Sequence, residues 1–403
     1  MPGTTLVAVG AIACDIILGV PSFPDEDSKL RATSFHKRRG GNVGNALEVL
    51  HQLVRSNANV ERDGKEASSA VDLVLVAALP SRTSSSIDFI ASSFADEKKT
   101  GHDESQPLGE TIQRSECPVN MQHCLYRDQH NEPVTSYIIS SAASQSRTII
   151  NHNPMPEMTF VEFSAVVDSL IGSPSGGPSH ARSENFWFHF EGRIPETTLQ
   201  CMSYLRELAD SKTSCEKDES HVRLTISVEI EKPGREGLQD LAREADVVLY
   251  SRSWAEGEGY SNAADCLRQQ AKLLMTSAPA SPRLLICTWG ADGADGLFLY
   301  HQPSKQAEEL SQNVIHSPAH KSDGDIVDST GAGDTFIAAV LHQLMQEDLR
   351  SGRLTESARA MRLRTVLDLA NALASQKIRQ HGFSNLRNAV AHSDAAQNGA
   401  GMP

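Results

Sequence analysis

The sequence predicts an α/β fold in which a mostly parallel central sheet carries helices on both faces and a smaller β element stands beside it. Three observations predict this. A continuous apolar run at 6–13 reads as a strand buried on both sides, and strand-like segments recur at 71–79, 186–193, 224–233 and 245–250 and in 284–294, where a Gly-containing turn follows. Stretches with helical spacing alternate with them, which is the order of βα units. Residues 120–152 hold strand-like segments around a polar turn, a separate β element.

Each element follows from its residues. The run 6–13 is a strand, with Asp15 just past its carboxyl end, where open α/β sheets place their ligands. Residues 20–28 are too proline-rich and acidic for a central strand and read as a loop carrying Asp27. Gly40 and Gly41 then lead into a helix whose Leu47, Leu50 and Leu53 share a face. Asn42 and Asn45, three apart, project from one side of its first turn. Helix capping explains such asparagines; so does a polyhydroxyl ligand, because each amide offers donors and an acceptor.

Further along, 87–94, 198–209 and 357–377 read as helices. Residues 124–127 and 134–139, joined by the turn 128–133, read as a hairpin, and 147–152 as another strand. His189 and Glu191 lie two apart on one strand face, but no third ligand at a usual spacing supports zinc. Four polar stretches without apolar period, near 55–70, 95–117, 172–184 and 212–221, read as insertions, and 391–403 as a disordered tail.

Composition narrows the function. The chain has 403 residues, with 51 acidic against 37 basic side chains and a net charge of −14. Nucleic acid and anionic membranes need a concentrated basic face, so neither is an expected partner. Seven cysteines without a CxxC pair argue against a disulfide framework. The N-terminus lacks the pattern of a secretory signal, and no run of about 18 apolar residues occurs, so a cytoplasmic location is expected.

The most informative string is D-S-T-G-A-G-D-T-F at 328–336, followed by an apolar helical run. Glycines 331 and 333 let a ligand approach the backbone, and a helix starting there offers free N–H groups to an anion. Asp334 inside that turn would repel a phosphate, which points to a second role, that of taking a proton from an attacking hydroxyl. No Lys follows the second Gly, so this is not a Walker A loop.

This string resembles the C-terminal signature of the PfkB, or ribokinase-like, carbohydrate kinases. G-G-N-x-x-N at 40–45, S-x-S-R-T-I at 144–149, H-x-E-G-R at 189–193 and S-V-E-x-E-K-P at 227–233 are similar to the ketohexokinase branch of that family. The resemblance implies a ribokinase-like three-layer α/β/α sandwich with a mostly parallel central sheet. It implies one kinase domain over 1–390, with a small β-lid whose strands fall within about 12–36 and 120–152. Carried over, Asp334 is the catalytic base, and Gly331, Ala332 and Gly333 form the anion hole. Asp15, Asp27, Gly41, Asn42 and Asn45 are the sugar ligands. Arg147, Arg252, Gly290, Ala291, Asp292, Gly293 and Asn371 contact the nucleotide.

ATP and Mg²⁺ are the implied cofactors, with K⁺ a further ion the family allows. Most of the family has N-x-x-E after the strand at 245–250, whereas this chain has S-R-S-W, so the metal's protein ligands stay unassigned. The implied reaction is phosphorylation of a primary hydroxyl of a ketohexose, such as fructose to its 1-phosphate. A kinase for ribose, 2-keto-3-deoxygluconate or a nucleoside, or a non-catalytic sugar or nucleotide sensor, remains open beside it. A homodimer through the β-lid is expected as well.

Overall fold

The computed structural model describes residues 3–58, 71–95, 117–144, 146–171, 185–213, 222–275, 283–299, 313–320, 326–346 and 354–386. Among these residues the central sheet has eight strands. These are β1 (Thr4–Val9), β4 (Val71–Val76), β9 (Asn185–Glu191), β10 (Arg223–Ile230), β11 (Val247–Tyr250), β12 (Arg283–Thr288), β13 (Ala294–Leu299) and β14 (Ile315–Ser317). Across the sheet they stand in the order β14-β13-β12-β11-β10-β9-β1-β4. β4, β1, β9, β10, β11 and β12 run parallel, while β13 and β14 pair antiparallel.

Successive strand residues face opposite layers. Leu6 and Ala8 belong to one core, Val7 and Val9 to the other. The first layer holds α1 (Asn42–Ala58), α2 (Ser85–Ser92), α8 (Ala332–Gln346) and α9 (Glu356–Lys377). The second holds α3 (Phe160–Ile171), α4 (Pro195–Thr213), α5 (Leu238–Glu244), α6 (Arg252–Gly257) and α7 (Ala263–Met275). In α9, Leu363, Val366, Leu367, Ala370 and Leu373 are buried at helical spacing, and Thr355 caps the start by accepting from the Ala358 amide.

A second sheet is made of β2 (Ala13–Val20), β3 (Ser34–Gly40), β7 (Val134–Ser141) and β8 (Arg147–His152), in the order β3-β2-β7-β8. Its register sets Arg38, Asp15, Ser136 and Asn151 in one cross-strand row. The alternate face carries Ile16, Leu18 and Ile139 with Phe35, Tyr137 and Ile150, of which the last three are 62%, 42% and 58% exposed.

Several expectations are corrected. The run 6–13 is not one strand: β1 ends at Val9, and Gly10 lets the chain cross into the second sheet. A side chain at Gly10 would strike Glu191 and Val43. Asp15 is therefore the third residue of β2, not the residue after a core strand. The run 71–79 likewise divides into β4 and a short β5 (Ala78–Pro80), which pairs with β6 (Leu125–Arg127). Strands β6 and β7 are not a hairpin, since β6 pairs with β5 and β7 runs parallel to β2. The turn between them is drawn away by the Ser81 amide on the His130 carbonyl (2.7 Å) and the Ser84 hydroxyl on that of Asn131 (2.6 Å). The hairpin is β7–β8.

Helix α1 extends to Ala58 and α4 to Thr213, so the stretches 55–58 and 212–213 belong to helices rather than insertions. Residues 59–70, 96–116, 172–184 and 214–221 of the predicted insertions lie outside the described residues, as does the tail 391–403.

Candidate active site

The site forms where the carboxyl ends of the parallel strands meet the starts of α1 and α8 under the second sheet. Asp334 lies in the first turn of α8, and its Oδ2 accepts a 2.7 Å hydrogen bond from Asn45 Nδ2 of α1. Asn45 is buried, and its Oδ1 accepts from Arg39 Nη1 at 2.9 Å. Arginine only donates, so this bond turns the amide nitrogen of Asn45 toward Asp334. Arg39 is itself buried, donates to Ser93 Oγ (2.9 Å), pairs with Glu48 and lies over the Phe94 ring.

Gly331 has φ +80°, and a Cβ there would run into the Phe383 ring; the helix-opening turn therefore requires glycine. Thr335 secures the turn from inside, its amide and hydroxyl both bonding the Gly331 carbonyl at 2.9 Å. Ala332 already closes a turn on the Ser329 carbonyl at 3.3 Å. Gly333 is exposed at the helix start, where N–H groups have no intrahelical acceptor.

Four carboxyl groups converge beneath. Strands β9 and β10 pair Glu191 directly with Glu229. Asn42 Nδ2 donates to Glu229 Oε2 (3.1 Å) and Glu231 Oε2 (3.0 Å). The Ala11 amide donates to Glu191 Oε2 at 2.9 Å. Burial, and then the neighbouring Glu229, push Asp334 up to about 8, with Glu231 and Glu191 adding to the rise. Burial first and like charge second also raise Glu229 to about 8 and Glu191 to about 7. Burial lowers His189 to about 4, so the ring is neutral; it bridges Ser227 Oγ (2.8 Å) and Glu229 Oε1 (3.0 Å).

The other sequence-predicted residues fall into three places. Gly41, with φ +96°, packs on the Ala11 carbonyl where no side chain fits. Asp15 is buried over Gly40, 3.5 Å from Arg38, and burial raises its carboxyl despite Arg38. Asp27 stands apart, exposed in a turn at φ +60°. Arg147 of β8 reaches Thr330 Oγ1, touching the turn from the second sheet.

Arg252 opens α6 beside the Gly290–Asp292 turn, over the Trp289 ring and paired with Glu256 at 2.7 Å. S-R-S-W is a helix start: Ser251 caps it by accepting from Trp254, and both serines bond the Glu231 carbonyl. Gly293 packs on the Ser317 carbonyl, to which Asn371 donates at 2.9 Å, so these residues lie together. Asn371 Nδ2 also bonds Ser317 Oγ (2.9 Å).

Sequence reasoning missed Arg38, Arg39, Asp328, Lys377 and the roles of Glu191, Glu229 and Glu231. Acidic residues inside otherwise apolar strands were the available signal for the glutamates. Asp328 accepts from Arg38 (2.9 Å), Lys377 (3.1 Å) and the Thr330 amide (2.9 Å). Burial raises its carboxyl, but these bonds and charges win, holding it well below the usual range.

Among the described residues no cluster of three or more His, Cys, Asp or Glu side chains is set to hold a metal. The fit of Mg²⁺ rests on Glu229 and Glu231, oxygen donors beside Asp334. Two carboxylates suit an ion that keeps its waters and binds mainly to nucleotide phosphates. For K⁺, Asp328 offers a carbonyl and a carboxylate near the turn, but the Lys377 ammonium already takes both (3.0 and 3.1 Å). That arrangement does not fit a second cation.

A glycine-bent helix start with an acidic residue in its first turn suits a phosphotransferase that acts on hydroxyl groups. The family model described as pfkB family carbohydrate kinase matches residues 187–389, half of the chain, and the chain belongs to that family. It is a sugar kinase. It is 28% identical to mouse (Mus musculus) ketohexokinase over 353 residues, 86% of this chain and 93% of that protein. Among solved structures, ribokinase from Giardia lamblia aligns with a TM-score of 0.65 at 14% identity, covering 98% of this chain and 99% of the other. Arabidopsis thaliana ribokinase, solved with ribose and ATP, aligns at 0.58 with 13% identity, covering 97% and 98%. These two likenesses establish the fold. Among the described residues no helix is long and apolar enough to cross a membrane, and the six described cysteines are free thiols.

Proposed function

We propose that this kinase moves the γ-phosphate of ATP to a primary hydroxyl of a ketohexose, with fructose giving fructose 1-phosphate. The observation that carries the reading is the Arg39–Asn45–Asp334 chain, which holds a carboxyl group at the mouth of an anion-binding turn. Ketohexokinase similarity over most of the chain favours the ketose.

In this reading Asp334 takes the hydroxyl proton as the oxygen attacks phosphorus. The turn of Gly331, Ala332 and Gly333 holds the transferring group, with the Ala332 amide leaving its long bond to the Ser329 carbonyl (3.3 Å) to do so. Asp15, Gly41, Asn42 and Asn45 orient the sugar. Arg147 steadies the phosphate tail, while Arg252, the turn Gly290, Ala291, Asp292 and Gly293, and Asn371 border the nucleotide. Mg²⁺ held with the phosphates by Glu229 and Glu231 would supply charge neutralisation. Catalysis of this type rests on positioning and preorganised charge. The second sheet acts as a lid that excludes water. Free thiols agree with work in the reducing cytoplasm.

The second reading is a pentose acceptor, favoured by the fold shared with a ribokinase that holds ribose. Coupled assays on fructose, ribose, 2-keto-3-deoxygluconate and a nucleoside, with the product's phosphate position read by NMR, decide between them. Fructose 1-phosphate as the best product supports the proposal; preference for ribose replaces it. Turnover on none of them would favour a sensor.

The apolar outer face of the lid sheet, with Phe35, Tyr137 and Ile150 exposed, supports a homodimer through that sheet. Light scattering should give a dimer mass, and Phe35→Glu should give a monomer. A wild-type monomer at micromolar concentration would remove the proposal.

A further inference from the structure

Asp328 precedes the anion turn, and cations from two separate parts of the fold converge on it. From the core comes Lys377, the last residue of α9, whose side chain is 0% exposed. Its Nζ donates to the Asp328 carbonyl (3.0 Å), Asp328 Oδ2 (3.1 Å) and the Gln380 carbonyl (3.4 Å). The same helix end binds the approach to the turn, because the Val327 and Asp328 amides both donate to the Ile378 carbonyl (2.8 and 3.1 Å).

From the lid comes Arg38. Its Nη1 donates to Asp328 Oδ2 at 2.9 Å, while its Nε lies 3.5 Å from Asp15 Oδ2. The shorter contact crosses to the core, so this lid residue is anchored chiefly outside the lid. Asp328 passes the constraint onward: its other oxygen accepts from the Thr330 amide at 2.9 Å, one residue before Gly331. A second lid cation, Arg147, grips the Thr330 hydroxyl.

We infer that Arg38 is a positioning residue: by holding Asp328 against the fixed Lys377 ammonium, it makes the geometry of the anion turn depend on the seating of the lid. Charge-assisted bonds of this kind are directional and stronger than neutral ones. Lys377 holds Asp328 Oδ2 from the core and Arg38 holds the same oxygen from the lid, so Arg38 is the half of this clamp that can leave with the lid. Asp15 shares the guanidinium, so a ligand at Asp15 and the turn are connected through one side chain.

This inference rests on the kinase reading, but its main test does not need turnover. Hydrogen exchange of peptides covering 326–336 is followed in wild type, Arg38→Gln and Arg38→Lys without substrates. Arg38→Gln should speed exchange in the turn roughly fivefold or more and leave peptides of β10 and α7 unchanged. Arg38→Lys should recover most of the protection. With the best acceptor sugar, Arg38→Gln should lower kcat about tenfold and keep the sugar KM within about twofold. Unchanged exchange at 326–336 overturns the inference, as does a raised sugar KM at constant kcat, which would make Arg38 a sugar ligand. Faster exchange throughout Arg38→Gln, unrepaired in Arg38→Lys, also overturns it, since the role would then be general stability. If wild type phosphorylates no sugar, the kinase reading fails while the exchange result still stands or falls separately.

Discussion

Asn45 Nδ2 lies 2.7 Å from Asp334 Oδ2, joining two helix starts that are 289 positions apart in the chain. The buried Arg39 behind Asn45 fixes which end of the amide faces the carboxyl. A single side chain thus orients the proposed base and, in the proposed reading, turns its remaining hydrogen-bonding capacity to the sugar.

Replacing it should cost both roles. Asn45→Ala is expected to lower kcat/KM by on the order of 1–3 kcal/mol, the penalty for leaving buried polar partners unmatched. Calorimetry should show weaker sugar binding with ATP binding retained. Loss of ATP affinity with normal sugar affinity would move Asn45 to the nucleotide side.

Asp334 is held up to about 8 by burial and by Glu229. A base acts only when deprotonated, so kcat/KM should climb through about pH 7 to 8 and level off above. Glu191→Gln removes a neighbouring negative charge without touching the proposed metal ligands and should move that limb toward lower pH. A limb at ordinary carboxylate pH, or one indifferent to Glu191→Gln, would contradict the electrostatic account.

The same carboxyls set a stability trend. Glu229 titrates near 4.5 when free and near 8 in the fold, so the folded state binds the extra proton. Stability is therefore fully present below about 4.5, as far as this group is concerned, and is lost as pH rises toward 8. Thermal melting of the ligand-free protein should show Tm falling from about pH 6 to about 8.5, and falling less in Glu229→Gln. Equal slopes would show that Glu229 is not the source.

Gly331→Ala should be poorly tolerated. The left-handed backbone alone costs about 1–2 kcal/mol for an L-residue, and the new methyl meets Phe383. We expect a lower melting temperature together with a fall in turnover. A variant with wild-type kcat would mean that the turn can re-form without its glycine geometry.

Much of this architecture was legible in the sequence, because period and strand-like runs report burial within one element. The strand readings at 224–233 and 245–250 became the somewhat shorter β10 and β11, and the face of Leu47, Leu50 and Leu53 became buried as expected. What periodicity lacks is any record of which elements meet. The break at Gly10 depends on Glu191, far along the chain, and it moved Asp15 into another sheet. Arg38 on Asp328 spans 290 positions, and the Glu191–Glu229 pairing exists only through parallel register. Signature strings picked out Asp334 and Asn45 and also contained Asp328, Glu191, Glu229 and Glu231, but without the part these carboxyls play in the geometry, and Arg38, Arg39 and Lys377 were given no role.

Whether Asp334 removes the sugar proton during phosphoryl transfer is decided by single-turnover kinetics of Asp334→Asn with ATP and the best acceptor sugar. The phosphoryl-transfer rate should fall by about 10²–10⁴-fold, the usual span for a general base, with nucleotide affinity preserved. A rate within a few-fold of wild type would exclude Asp334 as the base.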